Sequence, residues 1–440
     1  MKWFSNMPAP GHGWWPAVLF VVAWAWAASA AMDANRRIPA SDWHSNMWAD
    51  ASGYYVYLPG TFHHGMRAAT WPTDAPERVG HGFRLDTVSD RVITKYTAGP
   101  AILLVPFYLI AEAATGGSSI DGLTPTHQRM VEVGGAFYWA LAVTLLFMAF
   151  MRRWPAPAWV PLVALMLTCW GTNVIYYVVR MPMYSHVHSF FCVSAALWAL
   201  LSGLDGKHGR WKKLAFHAAC AMILVIRPID AVAVAGLYAW LWMDQRAVLR
   251  RPGFWAAQAL IMLLVAMPQL VYWKFAHGSW VVYSYGDEGF TNWRSPELAK
   301  LLFAPGNGWV PNAPAVLLLP LGLWSAFRRE KWMAGVVGAT LGAIVYLCAS
   351  WHVWHFGCSY GARPLVQYMP FVALALHLFL MDRRPVLLRV RQGLLPIFLV
   401  LAFVTYRAAL QFDICYAWEL GHWRSFIRTI LLAFFGKSEF

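Results

Sequence analysis

The sequence has little charge and few cysteines for its length. Only 13% of its 440 residues are charged, about half the share that is usual in soluble domains. Its six cysteines include no C-x-x-C pair, so neither a zinc-ligand spacing nor a disulfide framework is indicated. Cys358 and Cys415 could pair only if both face an oxidising compartment. The composition therefore argues against a soluble domain and against a cysteine-based metal centre.

The sequence also lacks the alternation of apolar and polar residues that marks membrane-spanning strands, which excludes a transmembrane β-barrel. No internal repeat or low-complexity segment interrupts it. Instead, 59% of the residues are hydrophobic, and they form continuous runs of about twenty residues, the length that crosses a bilayer as a helix. The 27 tryptophans and 18 tyrosines suit the membrane–water interfaces. The pattern predicts an all-α fold, a polytopic transmembrane helical bundle with a single domain over residues 1–440.

The basic residues occur in short clusters between the apolar runs. Nucleic-acid binding could explain the net charge of +14, but this distribution is the one that orients membrane helices with their basic ends in the cytoplasm. The chain is therefore predicted to have no nucleic-acid partner. Near the N-terminus, the apolar run and the small residues at 28–30 fit either an uncleaved anchor, which we favour, or a cleavable signal peptide.

Apolar runs and basic clusters together predict about eleven spans, with the N-terminus inside and the C-terminus outside. The uninterrupted runs lie near residues 14–31, 132–150, 157–178, 187–204, 254–275, 312–327, 332–350, 364–381 and 393–410. The polar segments predicted on the external side are a large first loop at 32–131, a second long loop at 276–311, a short loop at 351–363 and a C-terminal tail at 411–440.

Two further segments fit this topology only if they are unusual. Gly99–Ala113 carries Pro106 in mid-run and is predicted to lie as an interfacial helix within the first external loop. Residues 214–243 lie between two basic clusters, so they must enter the membrane and return, turning at the sequence "IRPID" that ends at Asp230. Each half has about thirteen residues, roughly 20 Å of helix, which predicts that this turn lines a cavity below the outer membrane surface.

Five basic groups stand at or near the external ends of the predicted spans. Each has an ordinary explanation when taken singly, such as a lysine that reaches the lipid headgroups or an arginine that anchors a helix end. Together they place an excess of cations beside carboxylates on the external side. The preference of basic residues for the cytoplasmic side does not explain this excess. A guanidinium suits a phosphate oxyanion. We therefore predict a site for the phosphate of an anionic lipid, formed by Lys95, Arg180, His186, Arg227 and Arg363.

Asp50 is the candidate general base, because a carboxylate near the membrane surface can accept the proton of an acceptor hydroxyl. It could instead only cap the short helix that follows it. Asp287, Glu288, His188 and His355 are candidates for supporting or acceptor-binding roles, although a solvated loop is the ordinary explanation for the two acids. The histidines of "HVH" are two residues apart and form no i, i+4 metal pair. The sequence names no metal ligand and leaves a divalent metal cofactor open.

Several motifs in order resemble a known family. They are "DASGYYVYLP" at 50–59, "KYTAGP" at 95–100, "YSHVHSFF" at 184–191, "IRP" at 226–228, "FAPGNGWVPNAP" at 303–314 and "WHVWHFGCSYGARPL" at 351–365. The chain resembles the GT-C class of polyprenyl-phosphate-dependent membrane glycosyltransferases, in particular uncharacterised bacterial members. It departs from them in "KYTAGP", which lacks a double proline, and at Met181 and Met183, which flank Pro182 where related sequences often carry an acid.

The resemblance implies a GT-C fold in the bacterial cytoplasmic (inner) membrane, with an active site that faces the periplasm or exterior. It implies inverting transfer of a hexose or pentose from a polyprenyl-phosphate-linked sugar to a lipid-linked glycan or other envelope acceptor, with Asp50 in the position of the family's catalytic aspartate. A carrier or flippase for an anionic lipid or solute is the alternative. Such transporters often contain two matching broken segments, whereas this sequence has one broken pair of helices and no matching second. A noncatalytic scaffold of envelope synthesis also fits the sequence.

Overall fold

The computed structural model describes residues 14–36, 47–117, 122–205, 208–357, 359–412 and 423–435. Nearly all of its secondary structure is helical, and the only strands in these ranges form one short antiparallel hairpin, β1 (Arg84–Asp86) with β2 (Arg91–Ile93). Cys358 and Cys415 lie outside the described residues, as does half of the predicted tail at 411–440. The all-α fold class is confirmed.

The helices before the first helix break are α1 (Trp15–Arg36), α2 (Asp50–Tyr55), α3 (Tyr57–Phe62), α4 (Ala75–Arg78), α5 (Gly99–Thr115), α6 (Pro125–Arg153), α7 (Trp159–Trp170), α8 (Val174–Val179), α9 (Ser185–Leu201) and α10 (Gly209–Ile226). Those after it are α11 (Ala231–Leu249), α12 (Pro252–His277), α13 (Leu298–Phe303), α14 (Trp309–Asn312), α15 (Leu319–Arg329), α16 (Lys331–Ser350), α17 (Met369–Leu380), α18 (Pro385–Gln411) and α19 (Trp423–Phe435).

Six helical segments in the described part of the chain are long and apolar enough to cross a membrane, and three shorter apolar helices accompany them. The six are α1, α6, α12, α16, α18 and the segment Arg363–Leu380. The protein is a multi-pass membrane protein. The predicted count of eleven spans is not established, because some predicted spans are interrupted: the run at 157–178 divides into α7 and α8 around Gly171, and the run at 312–327 begins with the 3-10 turn Pro314–Leu318.

The break at "IRPID" is confirmed. Helix α10 ends at Ile226, Arg227 has extended backbone angles, and a 3-10 turn at Pro228–Asp230 leads into α11. Proline cannot donate the helical hydrogen bond, which explains the interruption at this position. The two halves have 18 and 19 residues and are longer than predicted, roughly 27 Å each. The turn therefore lies farther from the first residue of α10 than the sequence predicted.

Helix α17 lies at the centre of the bundle. All twelve of its residues are buried, and it packs against α7, α9 and α15. A helix that is apolar on every side is expected in such a position. The 3-10 turn Arg363–Tyr368 leads directly into it. The core therefore fixes the backbone of Arg363, Gln367 and Tyr368, three residues that contact the ionisable groups described below.

The connection between α1 and α6 folds over one end of the bundle. The hydroxyl of Tyr272 on α12 accepts a hydrogen bond from the backbone N–H of Thr94 at 2.8 Å, and Arg91 donates to the carbonyl of Ala276 at 3.2 Å. These contacts tie β2 to the end of α12. Helix α5 packs on α6, α9 and α10. Its predicted position along the membrane surface remains a prediction, as do the predicted loop boundaries.

Candidate active site

Asp50 is the first residue of α2, and its backbone is fixed by an unusual neighbour. Ala49 has φ 52° and ψ −119°, a conformation that costs a residue with a Cβ roughly 1–3 kcal/mol. Two contacts hold it there: its N–H donates to the carbonyl of Val79 at 2.8 Å, and its carbonyl accepts from the Ser52 hydroxyl at 2.8 Å. The segment after α4 therefore sets the direction of the Asp50 side chain.

Both carboxylate oxygens of Asp50 have partners. The phenol of Tyr96 donates a short hydrogen bond to Oδ1, and a guanidinium N–H of Arg363 lies 3.0 Å from Oδ2. Burial, and then the negative charge of Asp50, raise the pKa of Tyr96, which keeps this phenol a proton donor. The Asp50 side chain is 25% exposed and that of Arg363 18% exposed. The structure thus brings together the predicted base and one predicted phosphate ligand.

A cavity of about 480 Å³ opens beside Asp50, a volume within the range of small-molecule sites. Its wall combines the carboxylate with cations, hydroxyls, imidazoles and glycine backbone. The lining residues that bear on chemistry are Asp50, His81, Arg84, Lys95, Tyr96, His277 and Ser284. Hydrogen-bond donors and acceptors line the same cavity, as a binding site for a hydrophilic molecule requires.

Lys95 lines the same cavity and is paired with Glu288. The ammonium nitrogen lies 2.5 Å from Oε1 of Glu288, and both side chains are 37% exposed. The hydroxyl of Ser284 donates to the Lys95 carbonyl at 2.6 Å, so the segment that follows α12 closes over this residue. Asp287 is exposed. The sequence placed Lys95 with the phosphate ligands and Glu288 with the supporting acids, and the structure makes them one ion pair.

Arg227 and His186 form a second cationic group deeper in the protein. His186 is buried, and its Nδ1 lies 2.9 Å from the Oε1 of Gln367. A guanidinium nitrogen of Arg227 lies 3.1 Å from the ring Nδ1 and 3.3 Å from Nε2. Since a guanidinium only donates, the ring nitrogen that meets it must accept, which favours a neutral ring. Tyr54 lies between this group and Asp50, and burial, opposed by the charge of Arg227, raises its pKa.

Asp230 is the buried counterpart of Asp50, and the sequence placed it at the predicted turn without counting it among the site residues. Its side chain accepts from Tyr368 at 2.5 Å, from Gln367 at 3.1 Å and from Ser189 at 3.1 Å. The residue is fully buried, and Arg227 supplies a positive charge beside it. Three donors and a cation are what a carboxylate needs in an apolar interior. Only the proline at the helix break hinted at a special role here.

For three predicted site residues, the structure shows contacts with groups other than Asp50. Arg180 donates to the carbonyl of Ala34 at 3.2 Å, which ties the end of α8 to α1. His188 is buried, with its ring Nδ1 3.1 Å from the Tyr184 carbonyl. The ring Nδ1 of His355 accepts from the N–H of Gly357 at 3.1 Å, and burial lowers the pKa of this histidine. Their predicted roles in binding remain predictions.

Tyr96 is the contact of Asp50 that sequence reasoning missed. It stands next to Lys95 in "KYTAGP", yet nothing distinguishes its hydroxyl from those of the many interfacial tyrosines. Within the described ranges, no group of three or more His, Cys, Asp and Glu side chains is placed to hold a metal ion. A divalent metal cofactor stays an open prediction.

Comparison with solved structures identifies the architecture. ArnT from Cupriavidus metallidurans in the apo state has 14% sequence identity to the chain and a TM-score of 0.52, over 90% of this chain and 69% of ArnT. The chain has the GT-C fold. The archaeal oligosaccharyltransferase AglB from Archaeoglobus fulgidus, in complex with an inhibitory peptide and a dolichol-phosphate, also matches, with 11% identity and a TM-score of 0.49 over 90% of this chain and 56% of AglB. Neither a family model nor a curated protein sequence matches the chain.

Proposed function

We propose that this GT-C-fold protein is a glycosyltransferase that moves a sugar from a polyprenyl-phosphate donor to a hydroxyl of an envelope glycan or lipid at the external membrane face. The observation that carries the proposal is the contact between Asp50 and Arg363 at the edge of a polar cavity. A base and a phosphate ligand in contact are what displacement at an anomeric carbon requires, because the nucleophile must lose a proton and the phosphate must leave with its electrons.

In this reaction the donor phosphate binds at Arg363, supported by Arg227 and His186 on the membrane side and by Lys95 on the cavity side. Arg227 and His186 lie at the helix break, where a cavity inside a membrane bundle tolerates irregular backbone. The acceptor occupies the cavity of about 480 Å³. Asp50 accepts its hydroxyl proton as the oxygen attacks the anomeric carbon with inversion.

The test is mass spectrometry of the purified protein after incubation with a pool of polyprenyl-phosphate sugars and membrane glycolipids. We expect free polyprenyl phosphate and a glycosylated acceptor with the wild type. Arg363→Ala should weaken apparent donor affinity about 10-fold to 100-fold, since one charge-assisted contact to phosphate is worth roughly 1.5–3 kcal/mol.

Lys300→Ala is the matched control, because Lys300 is an exposed cation paired with Glu297 on α13 and does not line the cavity. Its donor affinity should equal that of the wild type. Retention of a lipid-linked sugar without turnover, even with acceptors present, would favour a carrier. Failure of the wild type to retain any polyprenyl-phosphate sugar would refute the donor class.

A further inference from the structure

The carboxylate of Asp50 is occupied on both oxygens. Tyr96 donates to one and Arg363 to the other. Hydrogen bonds and an adjacent cation stabilise the charged form of a carboxylate, which makes it a weaker base. Each oxygen keeps a second lone pair, so an acceptor hydroxyl can reach the carboxylate while both donors are bound. Release of one donor would make that oxygen a stronger proton acceptor.

Tyr96 is the donor that is held in place. Its N–H donates to the Thr94 hydroxyl at 3.2 Å, and its carbonyl accepts from the Tyr57 hydroxyl at 2.7 Å. The ring packs against Tyr54 with 4.8 Å between centroids, and the residue is 8% exposed. These contacts fix backbone and ring together, so loss of the phenol contact would require the whole segment to shift.

Arg363 is the donor that can be exchanged. In the described part of the chain its ion pair with Asp50 is the one salt bridge that it makes, and its guanidinium lies 5.9 Å from the centre of the Tyr184 ring. A guanidinium carries five N–H donors, far more than this contact uses. It can therefore bind a phosphate oxygen and swing away from Oδ2 while its backbone stays fixed at the start of the central helix.

We infer that Arg363 is shared between Asp50 and the donor phosphate, and that its transfer to the phosphate during the reaction frees Asp50 to act as base. The inference rests on the proposed function and adds the order of events to it. The guanidinium links departure of the leaving group to removal of the acceptor proton, because one cation serves both carboxylate and phosphate.

The charges make this exchange favourable as the reaction proceeds. The donor is a phosphodiester with one negative charge. When the bond from the anomeric carbon to the phosphate oxygen breaks, its electron pair stays on that oxygen, and a phosphate monoester with a charge of about −1.5 to −2 forms. The acceptor oxygen forms the new bond to carbon, and its proton passes to Asp50. The carboxyl later gives this proton to water and regains Arg363.

Other titratable and charged groups face Asp50 from the surrounding elements and enter any pH dependence. They are Tyr54 of α2, Tyr184 before α9, Tyr285 after α12, Arg227 at the helix break, and His81, Arg84, Lys95 and His277 around the cavity. Burial raises the pKa of all three tyrosines, so they are protonated near neutral pH. Because several of these groups are charged or titratable, comparison with an Asp50 variant is essential.

The experiment measures protons taken up when farnesyl phosphate, a short polyprenyl phosphate, binds to the purified full-length protein. Titration calorimetry in two buffers of different ionisation enthalpy gives this number near pH 6. If the phosphate draws Arg363 from Asp50, the wild type should take up more protons than Asp50→Asn. The difference should disappear in Arg363→Gln and persist in Tyr96→Phe. Binding with equal proton uptake in wild type and Asp50→Asn would overturn the exchange and leave the transferase proposal intact, whereas absence of binding would overturn both.

A second readout is the pH dependence of turnover. In Arg363→Gln, the free protein lacks the counter-ion of Asp50 from the start. The acidic limb of kcat/KM should therefore move to higher pH by about one unit or more, the usual effect of a neighbouring guanidinium, while the limb of kcat should move less because the exchange has already occurred in the complex. Equal movement of both limbs would assign Arg363 a purely structural role.

Discussion

Asp50 and Asp230 each have an arginine nearby, and their surroundings differ in almost every other respect. Asp50 has two side-chain partners, is 25% exposed and borders a polar cavity. Asp230 has three side-chain donors and is fully buried in the bundle. A fully bonded, dry carboxylate can stabilise a helix break, but it cannot meet a substrate. The comparison makes Asp50 the candidate for chemistry and Asp230 the candidate for a structural role, without any appeal to motifs.

The two regions also differ in backbone strain. Among the described residues, six with a Cβ have positive φ, and four of them lie in the connection around Asp50: Ala49, Met66, His81 and Asp90. The break before Asp230 has ordinary angles, with Arg227 at φ −149°. Strained backbone is found where the surrounding structure over-determines it, frequently at functional sites. The strained backbone makes the Asp50 region the better candidate for a functional site.

Replacement of Asp50 should produce the largest effect on chemistry. Asp50→Asn keeps the shape of the side chain but removes the base, so sugar transfer should fall by about 10²-fold to 10⁴-fold, while donor retention persists. Turnover of a radiolabelled donor measures the change. Asp90→Asn is the control, since Asp90 is a partly exposed acid of the same connection that also pairs with an arginine, Arg67. Near-normal turnover in Asp50→Asn would exclude it as the base.

Replacement of Asp230 should instead affect stability. Asp230→Ala removes the acceptor of three buried donors and leaves the charge of Arg227 without compensation, which is expected to lower the free energy of unfolding by about 3 kcal/mol. Thermal unfolding in detergent should show a large fall in Tm. Asp50→Ala, whose site is open to solvent, should change Tm much less. Equal losses at both positions would abolish the distinction between the regions.

The smallest predicted effect concerns the residue before Asp50. Ala49→Gly should raise stability slightly, by up to about 1 kcal/mol, because glycine adopts positive φ without a steric cost. Transfer activity should be unchanged, because the backbone contacts to Val79 and Ser52 do not need the methyl group. Thermal unfolding and turnover would both be measured. A lower Tm in Ala49→Gly would show that the methyl contributes packing that outweighs the strain.

Much of this fold follows from the sequence because bilayer physics constrains it. Apolar length predicts the membrane helices, and proline predicts the break at Arg227. The GT-C architecture follows from the ordered motifs. The span count does not follow, because interruptions such as the one around Gly171 carry no charge signal and no proline of their own.

The site was predictable only in part. Asp50, Arg363 and Lys95 could be predicted as site residues because ionisable groups in or beside membrane spans are costly and therefore informative. Their partners were not predictable. Tyr96 and Gln367 are residue types that occur for many reasons, and Glu288 is 193 positions from Lys95 in the sequence. Which cation meets which acid depends on packing between distant segments, and single-sequence patterns do not contain that information.

Close packing beneath Asp50 also limits how this protein can vary. A Cβ on Gly53 would lie 2.0 Å from the Tyr96 ring, and one on Gly82 would lie 2.0 Å from the carbonyl of Ala49. Neither position can gain even a methyl group without moving a neighbour of the carboxylate. Random mutagenesis that selects for new acceptors should therefore recover changes at Arg84, His81 and His277 and leave both glycines untouched. The side chains at the rim of the cavity can therefore vary, whereas the two glycines beneath Asp50 cannot.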